Sequence, residues 1–344
     1  MRNESYLVLR EGAGLVDRTS RGRIAIKGRD RAGFLQGLLT NDVNALGEGE
    51  GCYAAYLTPQ GRIIADLDLF NIGDTILLDV HIDVQDQLIK RFEEIIFAED
   101  VKIANWTELW VAFSVHGPSS QAVVEATLEK PSALDELTKP YWNQRLSVHG
   151  ATLIVARTDE FGELGFRLFI ERSGASRLYD ALMSAGAVAV NAATVEIARV
   201  ESGRPLFPND MNQETIPLEA GIDDRAISFT KGCYVGQEVI IRILHRGHGR
   251  IARKLVGLTV DSGWPSGTSG VPEAGAELWS NGQAEPVGRV TSAVHSPTLG
   301  QVIALGYTTR ELAEPGTVVQ ITLRGGRADA VVTTTPFVSP RRKD

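Results

Sequence analysis

Short apolar runs with β-type composition alternate with helical patterns over the first 130 residues of the chain. Asp30 is placed to cap a helix whose apolar residues recur at helical spacing between positions 34 and 39. A second amphipathic helix is indicated between positions 84 and 96. Strands are predicted over residues 23–27, 53–57, 62–70, 75–80 and 110–115. The turn Pro59-Gln60-Gly61 joins two of them, and Asp66 and Asp68 share one face of the second.

The alternation continues to the middle of the chain, and its character changes near residue 251. Helices are predicted over residues 118–130, 175–184 and 192–200, and strands over residues 152–157 and 164–170. Gly and Pro then become frequent, and strands are indicated at 254–260, 277–279, 287–294, 302–307 and 318–323, as in a small antiparallel barrel or sandwich. This change of pattern predicts a domain boundary, with a body over residues 1–250 and a β-rich domain over residues 251–344.

The composition is that of a soluble globular protein. Of the 344 residues, 43% are hydrophobic and 23% charged, and the net charge of −8 disfavours a surface that binds nucleic acid or anionic lipid as a whole. Cys52 and Cys233 cannot form a disulfide framework, which favours a reducing compartment. The N-terminus lacks the pattern of a signal or transit peptide, and no apolar run reaches the roughly 18–20 residues of a membrane helix. These features predict a cytoplasmic protein without a membrane segment.

The most informative segment for chemistry is Lys231-Gly232-Cys233-Tyr234-Val235-Gly236-Gln237-Glu238. Cys233 lies between glycines that allow the backbone to bend or to approach a ligand closely. A cation as near as Lys231 would favour the thiolate over the thiol. Cys233 is therefore a candidate reactive residue. The alternative is a small buried apolar side chain, because free cysteine is among the most buried residue types.

This segment resembles the signature of the YgfZ family, folate-binding relatives of the glycine-cleavage T-protein, which is an aminomethyltransferase. Further segments follow in that family's order: Thr40-Asn41-Asp42-Val43, Thr58-Pro59-Gln60-Gly61, Gly162-Glu163-Leu164-Gly165-Phe166 and Pro217-Leu218-Glu219-Ala220-Gly221. The resemblance implies an α+β, T-protein-like fold with three domains in a ring around a central folate cavity. Two interleaved α+β subdomains would form the folate-binding body over residues 1–250, and a β-barrel would form the C-terminal domain over residues 251–344. It also implies tetrahydrofolate, or a one-carbon derivative of it, as the cofactor.

The resemblance implies roles for individual residues. The expected folate-binding residues are Arg199, Glu201, Asp66, Asn209 and Glu219. Arg199 matches an arginine of the folate cavity, and its planar fork could hold a carboxylate; the alternative is an ion pair with Glu201 on a helix surface. The expected catalytic residues are Cys233, Lys231 and Asp66, and the other members of the Cys233 motif are Gly232, Tyr234, Gly236, Gln237 and Glu238.

Two departures from the T-protein pattern concern acidic residues. The T-protein has two consecutive aspartates after its Thr-Pro-x-Gly turn, whereas this chain has Ala65-Asp66. Arg167 stands where the T-protein's Gly-Glu-Asp-Gly-x-Glu segment ends in glutamate, and a guanidinium cannot accept the N–H donors of a pterin ring. Both changes lean away from aminomethyl transfer.

A basic run follows the Cys233 motif. Arg242, Arg246 and Arg250 form a candidate anion patch for the glutamate tail of a folate, a phosphate or RNA, and the alternative is a solvated positive surface. His245 and His248 have no third ligand at a suitable spacing, so no metal site is expected.

Three functions compete on these grounds. The leading hypothesis, implied by the resemblance, is a tetrahydrofolate-binding accessory protein for the assembly or repair of iron–sulfur enzymes, its expected partners, with an indirect effect on tRNA modification. The alternative is a folate-dependent aminomethyltransferase or methyltransferase in which Asp66 positions the donor or stabilises its charge. Direct binding of nucleic acid is the least favoured, because few aromatic residues interleave the basic run.

Overall fold

The computed structural model describes residues 4–245, 249–260 and 270–339. Up to residue 105 the elements are α1 (Glu4–Glu11), β1 (Gly14–Asp17), β2 (Gly22–Lys27), α2 (Arg31–Leu38), β3 (Gly51–Leu57), β4 (Ile63–Asn71), β5 (Thr75–Val80), α3 (Ile82–Ile95) and β6 (Lys102–Asn105). They continue with β7 (Trp110–His116), α4 (Ser120–Glu125), β8 (Asn143–Val148), β9 (Ala151–Thr158), β10 (Gly165–Glu171), α5 (Ala175–Ser184), β11 (Val188–Ala189) and α6 (Ala192–Glu201). The last are α7 (Pro217–Ala220), α8 (Asp223–Ala226), α9 (Gln237–His245), β12 (Arg253–Val260), β13 (Glu277–Trp279), β14 (Gly288–Ser296), β15 (Gln301–Thr309), β16 (Val318–Leu323) and β17 (Gly326–Thr333).

Two sheets form the body of the molecule. One is five-stranded and antiparallel with the order β3-β4-β5-β2-β6. The other has the order β11-β1-β7-β10-β9-β8, in which β1 and β11 are parallel and the other neighbours antiparallel. An apolar cluster drawn from β4, β5, β7, β9 and β10 packs one sheet against the other.

Strand β4 explains why the two faces of the five-stranded sheet differ. Leu67 belongs to the apolar core shared with α2 and α3, whereas Asp66, Asp68 and Phe70 lie on the opposite face because side chains alternate along a strand. Phe70 packs against Phe169 of β10, with ring centroids 5.3 Å apart. The prediction that Asp66 and Asp68 share a face is confirmed, and this face is turned toward the second sheet.

The C-terminal strands close into a six-stranded barrel with the order β12-β15-β14-β13-β16-β17. This confirms the predicted α+β class with a C-terminal β-barrel. Strand β17 was not predicted, because two of its inward-facing residues, Ala328 and Ala330, are small and make the apolar alternation weak. Helix α6 joins the barrel to the body, since its Val200 packs on Val294 and Ile303 of the barrel.

Two other predictions differ from the structure. The helix predicted over residues 118–130 is observed only as α4, because Leu128 N donates to Glu125 O, and Thr127 Oγ1 donates to Val124 O at 2.7 Å. These contacts close a tight turn that ends the helix. No secondary structure was predicted for the segment between the Cys233 motif and the basic run. This segment, with the end of the motif and the start of the run, forms α9, which buries Ile240 in the core of the body.

Candidate functional site

A cavity of about 900 Å³ lies where α4, the end of β9, the loop after α6, helix α8 and the segment after the barrel meet. It is lined by Pro118, Gln121, Ala122, Glu125, Pro140, Arg157, Thr158, Asp159, Gly162, Glu163, Leu164, Ser202, Gly203, Arg204, Pro205, Gly221, Asp224, Arg225, Thr335 and Pro336. Its volume is in the range of small-molecule and cofactor sites. Two of the segments quoted for the family resemblance, Gly162–Phe166 and Pro217–Gly221, contribute to its wall.

The wall of the cavity is rich in charge. Its carboxylates are Glu125, Asp159, Glu163 and Asp224, and its guanidinium groups are Arg157, Arg204 and Arg225. Arg204 pairs with Asp159 at 3.0 Å, and Glu163 pairs with Arg10 at 3.0 Å. A carboxylate has about four lone-pair sites, so Asp159 and Glu163 can accept further N–H donors from a ligand.

Asp66 is connected to this cavity through two other side chains. The Arg225 guanidinium lies over the Tyr53 ring, 5.1 Å from its centroid, and the Tyr53 hydroxyl donates to Asp66 Oδ2 at 2.9 Å. Tyr53 and Asp66 are diagonal neighbours across β3 and β4, which brings a long side chain within reach of the carboxylate. Asp66 is half-buried and does not line the cavity itself. Tyr53 thus contacts Arg225 with its ring and Asp66 with its hydroxyl group.

The environment of Asp66 alters its acidity. Burial raises the pKa of Asp66 above its ordinary value, against the opposing effects of Arg21 and of the Tyr53 hydrogen bond. A raised pKa makes the carboxylate a stronger base toward a proton of the substrate. Ala65, in contrast, is fully buried in the apolar core on the other face of the sheet. Of the two consecutive positions, residue 66 is therefore the one that faces the inter-sheet site.

Arg167 is buried between the two sheets and does not line the cavity. Its Nη1 donates to Asp68 at 2.6 Å and to Asp79 at 2.7 Å, and its Nη2 donates to Glu160 at 3.3 Å. Asp68 and Asp79 are directly opposite on β4 and β5, where two like charges repel each other unless a cation lies between them. Burial by itself would raise the pKa of Asp79, but Arg21 and Arg167 hold it below its ordinary value. Arg167 thus joins the two sheets electrostatically.

Arg199 is also engaged within the protein. Its five N–H groups donate to both carboxylate oxygens of Glu196, to Asp210 Oδ2, to Ser292 Oγ and to the carbonyl of Arg204, at 2.5 to 2.8 Å. A guanidinium has five N–H donors, so each of them already has an acceptor. Arg199 does not line the cavity, and its contacts tie α6 to β14. Its predicted contact with a folate carboxylate would require these bonds to rearrange.

Glu201 does not pair with Arg199 as the alternative interpretation expected. It is fully buried and accepts hydrogen bonds from Tyr6 at 2.5 Å, Arg10 at 2.6 Å and Ser296 at 2.5 Å. These partners belong to α1 and to the end of β14, so Glu201 links the N-terminal helix, α6 and the barrel.

Asn209 and Glu219 are likewise not among the residues that line the cavity. Asn209 is exposed, and Glu219 Oε2 accepts a hydrogen bond from Arg253 Nε at 3.2 Å. Their folate-binding roles stay predictions.

Lys231 has a structural role in the described part of the chain. Its Nζ donates to the carbonyls of Gln36 at 2.6 Å, Leu39 at 2.7 Å and Asn41 at 2.9 Å. An ammonium has three N–H donors, and these contacts satisfy the carbonyls at the end of α2. No donor of Lys231 is left for the Cys233 thiol, so the activation expected from their proximity in sequence does not arise from a hydrogen bond.

Cys233 is exposed and does not line the cavity. The alternative of a small buried side chain is therefore wrong, and the reactive role stays a prediction. Gly236 of the same motif has φ of 84°, and a Cβ there would lie 2.5 Å from the carbonyl oxygen of Thr58. Only glycine suits this position, because the Cys233 motif packs against the Thr58–Gly61 turn. Tyr234 is buried, Gln237 half-buried, and Gly232 and Glu238 exposed.

The predicted anion patch is described only in part. Arg242 and Arg250 are exposed, whereas Arg246 and His248 lie outside the described residues. The patch stays a prediction.

The sequence reasoning missed Tyr53, Asp159, Arg204 and Arg225. Asp159 lies just before the Gly162–Phe166 segment quoted for the family resemblance, and Arg204 follows closely after Arg199 and Glu201, to which the resemblance assigned roles, so both had a usable signal. Tyr53 could have been found as a strand neighbour of the Asp66 face. For Arg225 the sequence carries no signal beyond its position between two such segments.

Two family models together match most of the chain. A model described as the GCVT N-terminal domain matches residues 2–231, and one described as the glycine cleavage T-protein C-terminal barrel domain matches residues 253–339. The chain belongs to the glycine cleavage T-protein family. Within this T-protein family, the aminomethyltransferase of Rubrobacter xylanophilus is 31% identical over 338 residues, covering 98% of this chain and 86% of the relative. The aminomethyltransferase of Bacillus subtilis is 30% identical over 341 residues, covering 97% and 90%.

A solved structure of the T-protein family has the same fold. It is the glycine cleavage system aminomethyltransferase T from Bartonella henselae, which superimposes with a TM-score of 0.83 at 23% identity and covers 99% of this chain and 90% of its own. The T-protein-like fold expected from the motifs is confirmed. Among the described residues, the structure has no helix that is both long and apolar enough to span a bilayer.

Proposed function

We propose that this chain binds tetrahydrofolate in the cavity and transfers a one-carbon unit between the folate and an amine donor, as a folate-dependent aminomethyltransferase or methyltransferase. The main support for this proposal is the position of Asp66 on the inter-sheet face of the five-stranded sheet. Its carboxylate contacts Tyr53, and the Tyr53 ring contacts Arg225 of the cavity wall. Ala65 lies in the apolar core, so its replacement of an aspartate leaves the acidic group of this face in place. The proposal agrees with the names of the relatives.

The residues of the cavity fit a folate. The cavity of about 900 Å³ has room for a ligand of that size, and Asp159 and Glu163 supply oxygen acceptors of the kind that pterin N–H groups need. Because Arg167 is held by three carboxylates between the sheets, it presents no guanidinium to a pterin in the cavity. Asp159 and Glu163 therefore take the place of the acceptor that the sequence lacks at position 167.

The transfer can be written so that atoms balance. With a donor of the form X–CH₂–NH₂, the carbon loses its bonds to X and to the amino nitrogen and forms two bonds to folate nitrogens. The two folate N–H protons go to the leaving groups, which depart as X–H and ammonia. With a methyl donor, one N–CH₃ bond breaks, one forms, and the folate N–H proton goes to the donor nitrogen. In either case the Asp66 carboxyl group stabilises the positive charge of the donor nitrogen or passes the folate proton to it.

Filling the cavity tests the binding part of the proposal. Ala122 is exposed on α4 and lines the cavity, so an indole in Ala122→Trp would occupy space that the folate needs. We expect this variant to bind tetrahydrofolate at least about tenfold more weakly than the wild type, equivalent to about 1.4 kcal/mol, in isothermal titration calorimetry. Ser176→Trp is the control, because Ser176 is exposed on α5 and does not line the cavity. Equal affinities of the two variants, or no binding by the wild type, would contradict the proposal.

A second candidate function is the accessory role in iron–sulfur assembly or repair, in the manner of the YgfZ family. The observation in its favour is that Cys233 is exposed on a loop beside Gly232, where a partner could reach the thiol. This candidate predicts that Cys233→Ala fails to restore the specific activity of an iron–sulfur enzyme in cells lacking the protein, whereas the wild type at equal expression restores it. Restoration by both proteins would remove the candidate. Cys52→Ala, which removes the half-buried thiol of β3, is the matched control.

A further inference from the structure

Arg225 differs in its contacts from the other guanidinium groups of the cavity. Arg204 is paired with Asp159 at 3.0 Å, and Arg157 donates to a backbone carbonyl at 3.1 Å. Within the described residues, the Arg225 guanidinium has no hydrogen bond to a protein acceptor. Its nearest carboxylate oxygen, on Asp224, is 3.9 Å from Nε and thus beyond hydrogen-bond distance.

The position of Arg225 is nevertheless well fixed. Asn41 Nδ2 donates to the carbonyl of Tyr53 at 2.8 Å and to the carbonyl of Arg225 at 2.9 Å, so one side-chain amide holds both backbones. Thr40 Oγ1 donates to the carbonyl of Ala226 at 2.5 Å. The same hydroxyl accepts a hydrogen bond at 2.9 Å from the backbone N–H of Ala55, which follows Tyr53 on β3. These bonds attach α8 to β3 and keep the guanidinium over the Tyr53 ring. The arrangement is therefore organised before a ligand arrives.

A guanidinium in this arrangement is suited to one kind of ligand group. Its central carbon lies over an aromatic ring, 5.1 Å from the centroid, and its N–H groups, which have no protein acceptor among the described residues, match the two oxygens of a carboxylate. Its side chain is 27% exposed and lines the cavity, so a ligand can reach it. Asp66 stands on the hydroxyl end of the same tyrosine and offers the opposite charge. A ligand with a carboxylate and a positive nitrogen would bind Arg225 through the carboxylate and face Asp66 with the nitrogen.

We infer that Arg225 is the carboxylate-recognition residue of the cavity. The identity of the ligand rests on the proposed function, and two sources share this chemistry. The carboxylate can belong to a small amino acid whose methylated nitrogen faces Asp66, or to the glutamate tail of the folate. In both cases the guanidinium forms charge-assisted hydrogen bonds that a neutral amide cannot replace.

Binding measurements on wild type, Arg225→Gln and Arg225→Lys distinguish these sources. For the folate, tetrahydrofolate is compared with its α,γ-diamide, in which both glutamate carboxylates are replaced by neutral amides. For the donor, N,N-dimethylglycine is compared with N,N-dimethylethylamine, which lacks the carboxylate. We expect Arg225→Gln to weaken one of the carboxylate ligands about 10- to 100-fold and its carboxylate-free analogue less than about twofold. Arg225→Lys should fall between, because it keeps the charge and loses the planar fork.

Arg177→Gln is the control, since Arg177 is exposed on α5 and does not line the cavity. Loss confined to tetrahydrofolate identifies the folate tail, and loss confined to dimethylglycine identifies the donor. The inference is overturned if Arg225→Gln binds both carboxylate ligands as the wild type does, or if the wild type does not prefer either carboxylate ligand to its analogue. A wild type that binds dimethylglycine through Arg225 but not tetrahydrofolate would reject the proposed function and keep the inference.

Discussion

Replacing Asp66 by asparagine is expected to lower one-carbon transfer by about a hundred- to ten-thousand-fold, the range for loss of a residue that holds or moves a proton in the reaction. The amide keeps the size of the side chain and an oxygen that can accept the Tyr53 hydrogen bond. It removes the negative charge that would face the donor nitrogen. The measurement is the rate at which ¹³C from a labelled donor appears on tetrahydrofolate.

Two controls make this prediction specific. Folate affinity should change little in Asp66→Asn, because Asp66 does not line the cavity. Stability should not fall either, since burial raises the pKa of Asp66 and therefore already disfavours its charged form in the fold. Transfer at the wild-type rate by a folded, folate-binding Asp66→Asn protein would exclude Asp66 from the reaction.

Replacing Arg167 by methionine is expected to lower the free energy of unfolding by about 3–5 kcal/mol, the usual cost of removing one partner from a buried ionic group. Arg167 is 4% exposed, and its Nη1 lies 2.6 Å from Asp68 and 2.7 Å from Asp79. Without the guanidinium, these two carboxylates face each other with no cation between them. Methionine fills much of the volume, so the loss reports charge and hydrogen bonding. Urea unfolding followed by circular dichroism measures the effect.

The pH dependence identifies the cause of this destabilisation. The native pKa of Asp79 is held below its ordinary value, so the stability from this ion pair is present above about pH 4 and is lost as the pH falls through the lowered native pKa. The difference between wild type and Arg167→Met should therefore shrink on acidification. A difference that is small at pH 7, or that stays constant down to pH 3, would show that Arg167 does not neutralise these carboxylates.

Much of the fold could be predicted because its signals are local. The hairpin around Pro59-Gln60-Gly61 and the alternation that puts Asp66 and Asp68 on one face follow from residues close in sequence. The barrel was predicted from regularly spaced short apolar runs, and β17 escaped because Ala328 and Ala330 are too small to mark a strand.

The site was harder to predict because its contacts join distant segments. Arg199 and Glu201 were expected to bind folate, with an ion pair between them as the alternative. In the structure Arg199 pairs with Asp210, and Glu201 pairs with Arg10 of the N-terminal helix. Lys231 was expected to act on the neighbouring thiol, and it instead caps a helix almost 200 residues earlier in the chain, with its Nζ bonded to Leu39 O across 192 positions. Such partners depend on packing, and no local pattern records them.

The most direct test of the central claim is a single-turnover transfer experiment with the wild-type protein. Protein at a concentration equal to that of tetrahydrofolate is mixed with a ¹³C-labelled donor, either an S-aminomethyl thioether or N,N-dimethylglycine, and the folate is analysed by mass spectrometry. With at least one of the two donors, we expect the amount of labelled folate to be proportional to the amount of protein added. We expect no labelled folate from Asp66→Asn in the same time. Tight binding of tetrahydrofolate with no label transferred from either donor would contradict the central claim.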